Sequence, residues 1–525
     1  MVKFSTDLHG QYEKYLNDES GIFRNGDAER IYFPESEAEI VEIVKQANVE
    51  NMPITISGGG TGISGGRAPI GGWIIATDRM QSVIVDEEPK SWTNPETGIS
   101  YQYLLQVNGN EAFITLPVSI TVKAIQTLTR EHGWYYPPDP TERSCFIGGN
   151  INTNASGARS FKYGCTRDWV ERLRIVLPSS EVLDLKRSKD SVGNSIVITT
   201  PENTYELPRP TYSIPRVSKN VAGPVITDKS NLLDVFIGSD GLFGIVTQVT
   251  LRLIKQPKSI VTFFAFCPTK ELGLDLIDHC QAMKQQNKSP VPMSVEMLDE
   301  RAISIMHDMD SEIPHDSKML IFIEQDVSQD QDTDEVIEVW FEVFSSRGIE
   351  DVLIAQTYSE IEHFKELRHA VPETVNGIVR SHGQAKIGSD ISVPWNKTRW
   401  IFEQAWEIGN EFESYQNAKQ ALESYGYALW AHAGDAHLHL NLIPRDEEEY
   451  NQGNLMVLKL IKEVIEVGGS MAAEHGLGKK YFDARPALEY QIGRKGIEEI
   501  KKMKQILDPH NLLNRGNLTG YTEFI

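Results

Sequence analysis

The chain has 525 residues, of which 40% are apolar and 24% charged, and its formal net charge is −23. This length predicts two or three domains, because a single core seldom grows to that size, and the composition is that of a globular protein. The negative charge argues against nucleic acids and anionic membranes as partners. The N-terminal residues lack the apolar core of a secretory signal, and no apolar run is long enough for a membrane span. We therefore expect a cytoplasmic protein, peripheral to a membrane only through a partner.

A glycine-rich loop follows the first predicted helix and strand. Ser36–Glu39 is a capping-box sequence that begins an amphipathic helix of about three turns, and Pro53–Ile56 is a predicted strand. Six of the ten residues in Ser57–Gly66 are glycine, which leaves backbone N–H groups free to surround an anion. Gly60–Gly65 matches the G-x-G-x-x-G pattern, but a strand, Trp73–Ala76, follows instead of a helix. We therefore predict a strand–loop–strand pyrophosphate site and not a Rossmann fold.

Two further loops of small residues lie in the first half of the chain. Gly148–Gly157 follows the rigid, extended corner Pro137–Pro140, and Gly238–Thr247 leads into a predicted strand, Ile245–Ile254. A single glycine-rich loop commonly makes only a turn. Three such loops, each joined to a strand, indicate one large cofactor that is held from several sides.

This ordered series resembles the FAD-binding domain of the vanillyl-alcohol oxidase and p-cresol methylhydroxylase superfamily, and the likeness resumes at Asp508–Asn514. The resemblance implies FAD, with its pyrophosphate on the first loop and its isoalloxazine towards a second domain. The first loop has no histidine for a covalent link, and Cys145 is more typical of a small buried residue than of a flavin attachment, so we expect non-covalent FAD. The candidate FAD contacts are Ser57, Gly58, Gly59, Gly60, Thr61, Gly62, Ser64, Pro138, Asp139, Gly148, Gly149, Asn152, Asn154, Ser156, Gly157, Gly244, Ile245, Val246 and Asn514.

The second half of the chain changes to a mixed order of helices and strands. The predicted helices are Lys270–Gln286, Thr333–Ser346, Trp395–Gly409, Glu411–Gly426 and Gly453–Val467, and the predicted strands are Ile260–Phe266, Met319–Glu324 and Ala428–Ala431. The fold class is therefore α+β, a two-domain flavoprotein with an FAD-binding domain of the p-cresol methylhydroxylase type and an α+β cap (substrate) domain. We assign residues 1–255 to the first, residues 256–484 to the second, and residues 485–525 to a segment that returns to the FAD domain.

Three of the thirteen histidines fall within eight residues, at His432, His437 and His439. After a turn at Gly434, the last two alternate with leucines, which predicts a strand with its imidazoles on one face. With Glu474, about thirty-five residues beyond the last of them, they offer the nitrogen and oxygen ligands that suit a divalent metal. A strand whose histidines are merely hydrogen-bonded explains the same pattern nearly as well.

Two cations in the second half are candidates for holding a substrate carboxylate. Arg368 lies in a segment with helical spacing, and Lys386 begins a predicted short strand that ends at Pro394. The spacing also allows Arg368 to pair with Glu366 or Glu373 at the surface, and it favours that alternative. For Lys386 a solvated strand end is about as well supported as a site role.

These segments, in this order after an FAD domain, are similar to the D-2-hydroxyacid dehydrogenases, whose pattern is H-x-G-D-x-N-x-H followed by Glu-His-Gly. By that resemblance His432, His439 and Glu474 would hold zinc or manganese and His475 would be the catalytic base. Arg368, helped by Lys386, would hold the carboxylate. The resemblance implies oxidation of a D-lactate-like 2-hydroxy acid to its 2-oxo acid with hydride transfer to FAD.

Two positions depart from that pattern. His437 stands where the pattern has asparagine, which leaves the identity of the substrate open, and Arg515 replaces an expected lysine. Two other functions also stay open. One is a metal-independent alcohol oxidase, or an enzyme like alkyl-dihydroxyacetone-phosphate synthase, although the separated histidines do not match the adjacent histidines of those synthases. The other is a non-catalytic electron-transfer flavoprotein subunit.

The electron acceptor is expected to be a separate redox protein or a quinone. The four cysteines, Cys145, Cys165, Cys267 and Cys280, form no C-x-x-C pair, which argues against an iron–sulfur cluster in this chain. No NAD-binding loop is predicted either. The sequence is compatible with a homodimer.

Overall fold

The computed structural model describes residues 2–20, 26–193, 195–314, 316–422 and 425–520. Sheets of four and seven strands come from residues 4–255, and a sheet of eight strands comes from residues 259–442. The mixed helices and sheets agree with the predicted α+β class. None of the helices in these ranges has both the length and the apolarity that crossing a bilayer requires.

The four-stranded sheet carries the first glycine-rich loop. Its strands have the order β1-β2-β4-β3 and are β1 (Phe4–Ser5), β2 (Arg30–Tyr32), β3 (Ile54–Ser57) and β4 (Trp73–Ala76). Helix α1 (Glu37–Glu50) joins β2 to β3. Parallel neighbours β3 and β4 are joined by residues 58–72, which contain no helix, so the predicted strand–loop–strand arrangement is confirmed.

The capping box predicted at the start of α1 forms only in part. The Ser36 side chain accepts from the Glu39 N–H, as expected for an N-cap. The Glu39 carboxylate accepts from the Glu35 N–H at 2.7 Å instead of from the N–H of Ser36. The carboxylate therefore closes a turn one residue before the cap.

The seven-stranded sheet continues the first half. Its strands are β5 (Lys90–Thr93), β6 (Ser100–Asn108), β7 (Glu111–Pro117), β8 (Trp134–Tyr135), β9 (Val170–Val176), β10 (Val182–Lys186) and β13 (Ile245–Lys255), and β11 (Ser195–Thr199) and β12 (Thr204–Pro208) form a separate hairpin. The order is β10-β9-β13-β7-β6-β5, with β8 paired to β13. Helices α2 (Val122–Glu131), α3 (Ile147–Thr153) and α4 (Ser160–Tyr163) lie in the connections. Helix α3 contains most of the second loop of small residues.

The eight-stranded sheet carries the histidines. Its strands are β14 (Ser259–Cys267), β15 (Ser294–Asp299), β16 (Met319–Val327), β17 (Val352–Ala355), β18 (Ile387–Gly388), β19 (Ile391–Ser392), β20 (Tyr427–His432) and β21 (His437–Leu442). The order is β17-β14-β16-β15-β20-β21-β18, with β19 also paired to β21. The predicted strand 386–394 is thus interrupted after Gly388, and the break places Asp390 beside β21.

The helices that cover this sheet differ from the prediction in several places. They are α5 (Lys270–Gln285), α6 (Glu300–Met309), α7 (Thr333–Ser345), α8 (Tyr358–Ser381), α9 (Thr398–Lys419) and α10 (Glu447–Glu466). The prediction of two separate helices, at 395–409 and 411–426, is wrong within the described residues, because the single helix α9 runs unbroken through Gly409. A Cβ on Gly409 would lie 2.6 Å from the Tyr427 ring, so this glycine permits close packing and does not end a helix. Residues 423–424 of the second predicted helix lie outside the described residues.

The C-terminal segment packs against the four-stranded sheet. Strands β22 (Tyr481–Phe482) and β23 (Arg485–Pro486) precede α11 (Ala487–Leu507). The Asn514 N–H donates to the Ile54 carbonyl at 2.8 Å, and the Asn514 side-chain oxygen accepts from the Ile56 N–H at 2.9 Å. Asn514 therefore fixes the end of β3, where the glycine-rich loop begins.

Candidate functional site: a nucleotide cleft beside a histidine–carboxylate cluster

A long cleft runs between the glycine-rich loop and helix α3. It encloses about 880 Å³ of empty space, which includes its open mouth. Of the predicted FAD contacts, those that line it are Gly58, Gly59, Gly60, Thr61, Gly62, Ser64, Gly148, Gly149, Asn152, Val246 and Asn514. The three sequence loops therefore meet at one cleft, as expected for a single large cofactor.

Polar groups in the cleft wall lack partners within the protein. The Nδ2 of Asn150, the Oδ1 of Asn152 and the Oδ1 of Asn517 are buried and make no hydrogen bond to the described residues. Buried polar atoms are rarely left unsatisfied, so these three suit a ligand rich in hydrogen-bonding groups. Arg67 adds a positive charge to the wall. Its guanidinium lies against Gly60, because a Cβ on that glycine would be only 1.5 Å from it. The wall thus offers unsatisfied hydrogen-bonding groups and one guanidinium to a large polar ligand.

The other predicted FAD contacts do not line the cleft. They are Ser57, Pro138, Asp139, Asn154, Ser156, Gly157, Gly244 and Ile245. Packing explains the small size of two of them. A Cβ on Gly157 would lie 1.8 Å from the Asp139 carbonyl oxygen, and one on Gly244 would lie 2.5 Å from the Ile175 side chain.

Cys145 lines the cleft but is held as a thiol. Burial raises the pKa of Cys145 to about 12. The thiolate is the nucleophilic form of cysteine, so this environment disfavours attack on a flavin. The observation supports the expectation of non-covalent FAD.

The histidines face one another across the hairpin of β20 and β21. Strand β20 ends at His432, which pairs directly with His437, the first residue of β21. The turn between them passes through Ala436, whose φ is +50°. His437 and His439 point to the same side of β21, and all three imidazoles are buried. The alternation seen in the sequence thus builds an interior face of imidazoles.

Two of these histidines turn the Nε2 side of the ring towards Glu474. The Nδ1–H of His439 donates to the Ser389 carbonyl at 3.2 Å, and the Nδ1–H of His432 donates to the Glu296 carboxylate. Their Nε2 atoms lie 3.3 and 3.2 Å from Glu474 Oε1. Metal-binding histidines are commonly oriented in this way by a carbonyl or carboxylate on the other ring nitrogen.

His437 is held differently. Its Nε2–H donates to Asp390 at 2.8 Å, which leaves Nδ1 as the ring atom with a lone pair. The Lys219 ammonium lies 3.4 Å from that Nδ1 and donates to it. Burial lowers the pKa of His437 well below its usual value, so the ring is neutral. Both nitrogens of His437 are therefore engaged within the protein.

His475 also approaches Glu474 Oε1. Its Nδ1 is 3.5 Å from Asp390 Oδ2, and its Nε2 is 3.5 Å from Glu474 Oε1. Burial lowers its pKa, which keeps the imidazole neutral near pH 7. Asp390 also accepts from the backbone N–H groups of Glu474 and His475, so it fixes this segment. The ring is stacked on His439, with centroids 5.3 Å apart.

Arg368 lies at the cluster, and Lys386 lies over Trp430, whose ring centroid is 6.4 Å from that of His439. Arg368 donates two hydrogen bonds to Glu296, at 2.5 and 3.1 Å, instead of pairing at the surface with Glu366 or Glu373. Lys386 is largely buried over the Trp430 ring, at 5.5 Å, and burial lowers its pKa to about 8. Within the described residues Lys386 forms no ion pair, so its charge is free for an anionic ligand.

The cluster contains the donor types that suit a divalent cation. Four carboxylates lie in it, those of Glu296, Asp390, Asp435 and Glu474, together with the ammonium of Lys219 and the guanidinium of Arg368. A group of His432, His437, His439 and Glu474 places one ligand atom from each within 4.8 Å of the others. A second group, Asp390, His439, Glu474 and His475, has its ligand atoms equally close, so His439 and Glu474 belong to both groups. In the first group the hydrogen bonds of His437 leave His432, His439 and Glu474, the predicted set, as the remaining donors of a type that binds metals.

The cluster opens towards the cleft through the Glu474–Gly478 segment. A Cβ on Gly476 would lie 3.8 Å from Asp240 and 3.9 Å from Thr153, both of which line the cleft. Gly478 donates to Asp240 at 3.1 Å. A substrate bound at the cluster would therefore lie next to a cofactor in the cleft.

Three residues of the cluster had no signal in the sequence. Glu296 lies in an ordinary apolar strand, Lys219 in a loop, and Asp390 in the break between β18 and β19. Each meets the histidines only through tertiary contacts, over sequence separations of 136, 218 and 47 residues.

Two family models match separate parts of the chain. The FAD binding domain model matches residues 28–186, and the model for the C-terminal domain of FAD linked oxidases matches residues 256–518. The chain is 25% identical to a D-lactate dehydrogenase of Anaerostipes hadrus, covering 96% of this chain and 92% of the relative. It is 26% identical to glycolate oxidase subunit GlcD of Bacillus subtilis strain 168, covering 92% and 87%.

A solved structure has a similar fold. Alkyldihydroxyacetonephosphate synthase superimposes with a TM-score of 0.65 over 97% of this chain and 82% of the synthase, at 14% sequence identity. At that identity the likeness shows the fold alone.

Filling the cleft should remove the cofactor without unfolding the chain. Gly149 lies in α3, lines the cleft, and has no atom within 4 Å of an added Cβ. We expect Gly149→Leu to weaken FAD binding at least tenfold, about 1.4 kcal/mol, measured as the flavin absorbance retained after gel filtration. Gly377→Leu is the matched control, because Gly377 is also helical, has equally open surroundings and lies away from the cleft. Full flavin content in Gly149→Leu would place the cofactor elsewhere.

Proposed function

Because the chain belongs to the family of FAD-linked oxidases, we propose that it is an FAD-dependent dehydrogenase that oxidises a D-2-hydroxy acid to the 2-oxo acid. The observation that carries the proposal is the convergence of His432, His439 and His475 on Glu474 beside the cofactor cleft. The names of the two relatives support the same chemistry, since lactate and glycolate are both 2-hydroxy acids. We propose a small acid of the D-lactate type.

The oxidation requires a hydride acceptor and a means to ionise an alcohol. When bound, FAD accepts the hydride from the substrate carbon, and a zinc or manganese ion acidifies the substrate hydroxyl. His432, His439 and Glu474 are the residues that would hold the ion. We propose that the electrons then leave to a separate redox protein or a quinone.

The chain's own residues supply the proton acceptor and the orientation. The neutral His475 removes the hydroxyl proton at the ring nitrogen that faces Glu474, and Asp390 stabilises the imidazolium that forms. Lys386 and Arg368 hold the substrate carboxylate, so the α-hydrogen is directed towards the flavin. Arg368 is also oriented by Glu296, which contacts His432. The carboxylate site and the proton acceptor are thereby fixed relative to each other.

Anaerobic flavin bleaching tests the proposal directly. The purified holoprotein is mixed with D- and L-isomers of 2-hydroxy acids and with simple alcohols, before and after treatment with a chelator. We expect bleaching by D-hydroxy acids only, and its loss on chelation. Bleaching by simple alcohols without metal would instead indicate a metal-independent alcohol oxidase. Flavin that no substrate bleaches would indicate an electron-transfer subunit.

Removal of the proton acceptor should slow turnover strongly. We expect His475→Ala to lower kcat roughly 10²–10⁴-fold, the usual contribution of general base catalysis, while FAD stays bound. Rapid-mixing flavin reduction measures the effect on the chemical step. His363→Ala is a suitable control, because His363 is exposed on α8 and pairs only with Asp310 among the residues described. Nearly full turnover in His475→Ala would contradict the assignment.

The substrate affinity should depend on the charge of Lys386. Its pKa of about 8 means that the ammonium is present below pH 8 and is lost above it. We therefore expect kcat/KM to fall as the pH rises through about 8, mainly through an increase in KM. Lys386→Met should lower kcat/KM about tenfold at pH 7, as for the loss of a charged hydrogen bond, and remove this alkaline decline. An unchanged decline in Lys386→Met, or its loss in the surface control Lys459→Met, would refute the role of Lys386.

A further inference from the structure

We propose that Lys219 is an internal cation that keeps the metal site open for substrate, by occupying two donor atoms that would otherwise bind the metal. The two atoms are Glu474 Oε2 and His437 Nδ1. This inference rests on the proposed metal-dependent function and assigns to Lys219 a positioning role. The bound metal would then have three protein ligands.

Lys219 is a fully buried lysine whose ammonium lies among the carboxylates and imidazoles of the cluster. Its side chain has no exposed surface, and its ammonium lies 3.3 Å from Glu474 Oε2 and 3.4 Å from His437 Nδ1. Asp435 Oδ2 is 3.8 Å away, and neither oxygen of Asp435 has a hydrogen-bond partner among the described residues. A buried ammonium is costly, so its place among these groups requires compensation by the carboxylates. Lys219 therefore belongs to the cluster and not to a solvated surface.

The backbone around Lys219 fixes this position. The Val221 N–H donates to the Ala472 carbonyl at 2.9 Å, and Ser470 Oγ donates to the Asn220 side chain at 2.7 Å. The loop that carries the lysine is thus bonded to the segment that carries Glu474. Movement of one segment would shift both groups together.

Because the Lys219 ammonium contacts only one oxygen of Glu474, the two carboxylate oxygens have different partners. Oε1 faces the Nε2 atoms of His432 and His439, whereas Oε2 faces Lys219. The carboxylate can therefore offer one oxygen to a metal and not two. Because Lys219 also takes the lone pair of His437, the four-donor group loses one histidine. Catalytic metal sites keep open positions of this kind, and structural sites are closed by protein ligands.

The test compares metal affinity in the full-length protein and its variants. Chelator-treated protein is titrated with zinc or manganese in competition with a chromophoric chelator. We expect Lys219→Met to bind metal about tenfold more tightly or more, a change of the size that groups around metal ligands produce. The substrate KM should rise in the same variant, because His437 fills a position that substrate needs.

A double-mutant cycle identifies the donor responsible. His437→Asn alone should leave metal affinity within about threefold of wild type, and Lys219→Met with His437→Asn should lose the part of the gain that comes from His437 Nδ1 and keep the part that comes from Glu474 Oε2. Lys504→Met is the matched control, since Lys504 is also buried and paired, with Asp508 at 2.8 Å, but is distant from the histidines. If Lys219→Met does not fold, Lys219→Met with Asp435→Asn keeps the charge balance and carries the same expectation.

The outcomes separate this inference from the proposed function. If wild type binds metal but Lys219→Met binds it equally or more weakly, the role of Lys219 is refuted and the function stands. If neither protein binds metal, both proposals fail. A gain in affinity of the same size with and without His437→Asn would refute the blocking of His437.

Discussion

The buried carboxylate of Glu474 is the group on which the arrangement of this site depends. Burial favours its protonation, but the neighbouring Lys219 and His432 hold its pKa well below the usual range. Removing such a group from water costs several kcal/mol unless ionic and hydrogen-bonding partners replace the solvent. Those partners come from a loop of the first half, which carries Lys219, and from the β20–β21 hairpin. The fold must bring distant segments together for Glu474 to remain ionised.

A second buried charge, that of Arg159, also needs partners from distant segments, and it links the two halves of the chain. Arg159, buried beside α4, donates to both oxygens of Glu324 in the eight-stranded sheet, at 3.0 Å each, and also pairs with Asp139 at 3.1 Å. Loss of one partner would leave an uncompensated buried charge. The ion pairs of Arg159 therefore hold the two halves in one relative position. The cleft and the histidine cluster belong to different sheets, yet the proposed hydride transfer needs them at a fixed separation. A rigid interface between the halves meets that need.

The sequence predicts best the features that have a local pattern. The alternation in 437–442 predicts the inward imidazole face, and the absence of a helix signal after Ser57–Gly66 correctly excludes a Rossmann fold. The contacts of Glu296 and Lys219 have no such pattern, because each depends on residues more than a hundred positions away. The helical spacing around Arg368 indicates only part of α8. The helix extends over 24 residues through Pro372, because its apolar face packs in the core of the second half.

The hydrogen bonds of His437 explain how a histidine can stand where the H-x-G-D-x-N-x-H pattern has an asparagine. An asparagine amide offers an N–H₂ donor and a carbonyl acceptor on the same side chain. In its Nε2–H form, His437 offers one donor to Asp390 and one acceptor to Lys219. Histidine can therefore replace the amide without adding a metal ligand, provided that Lys219 keeps Nδ1 occupied. The ammonium and the imidazole must accordingly be considered together, since the histidine without the lysine would present a third imidazole to the metal.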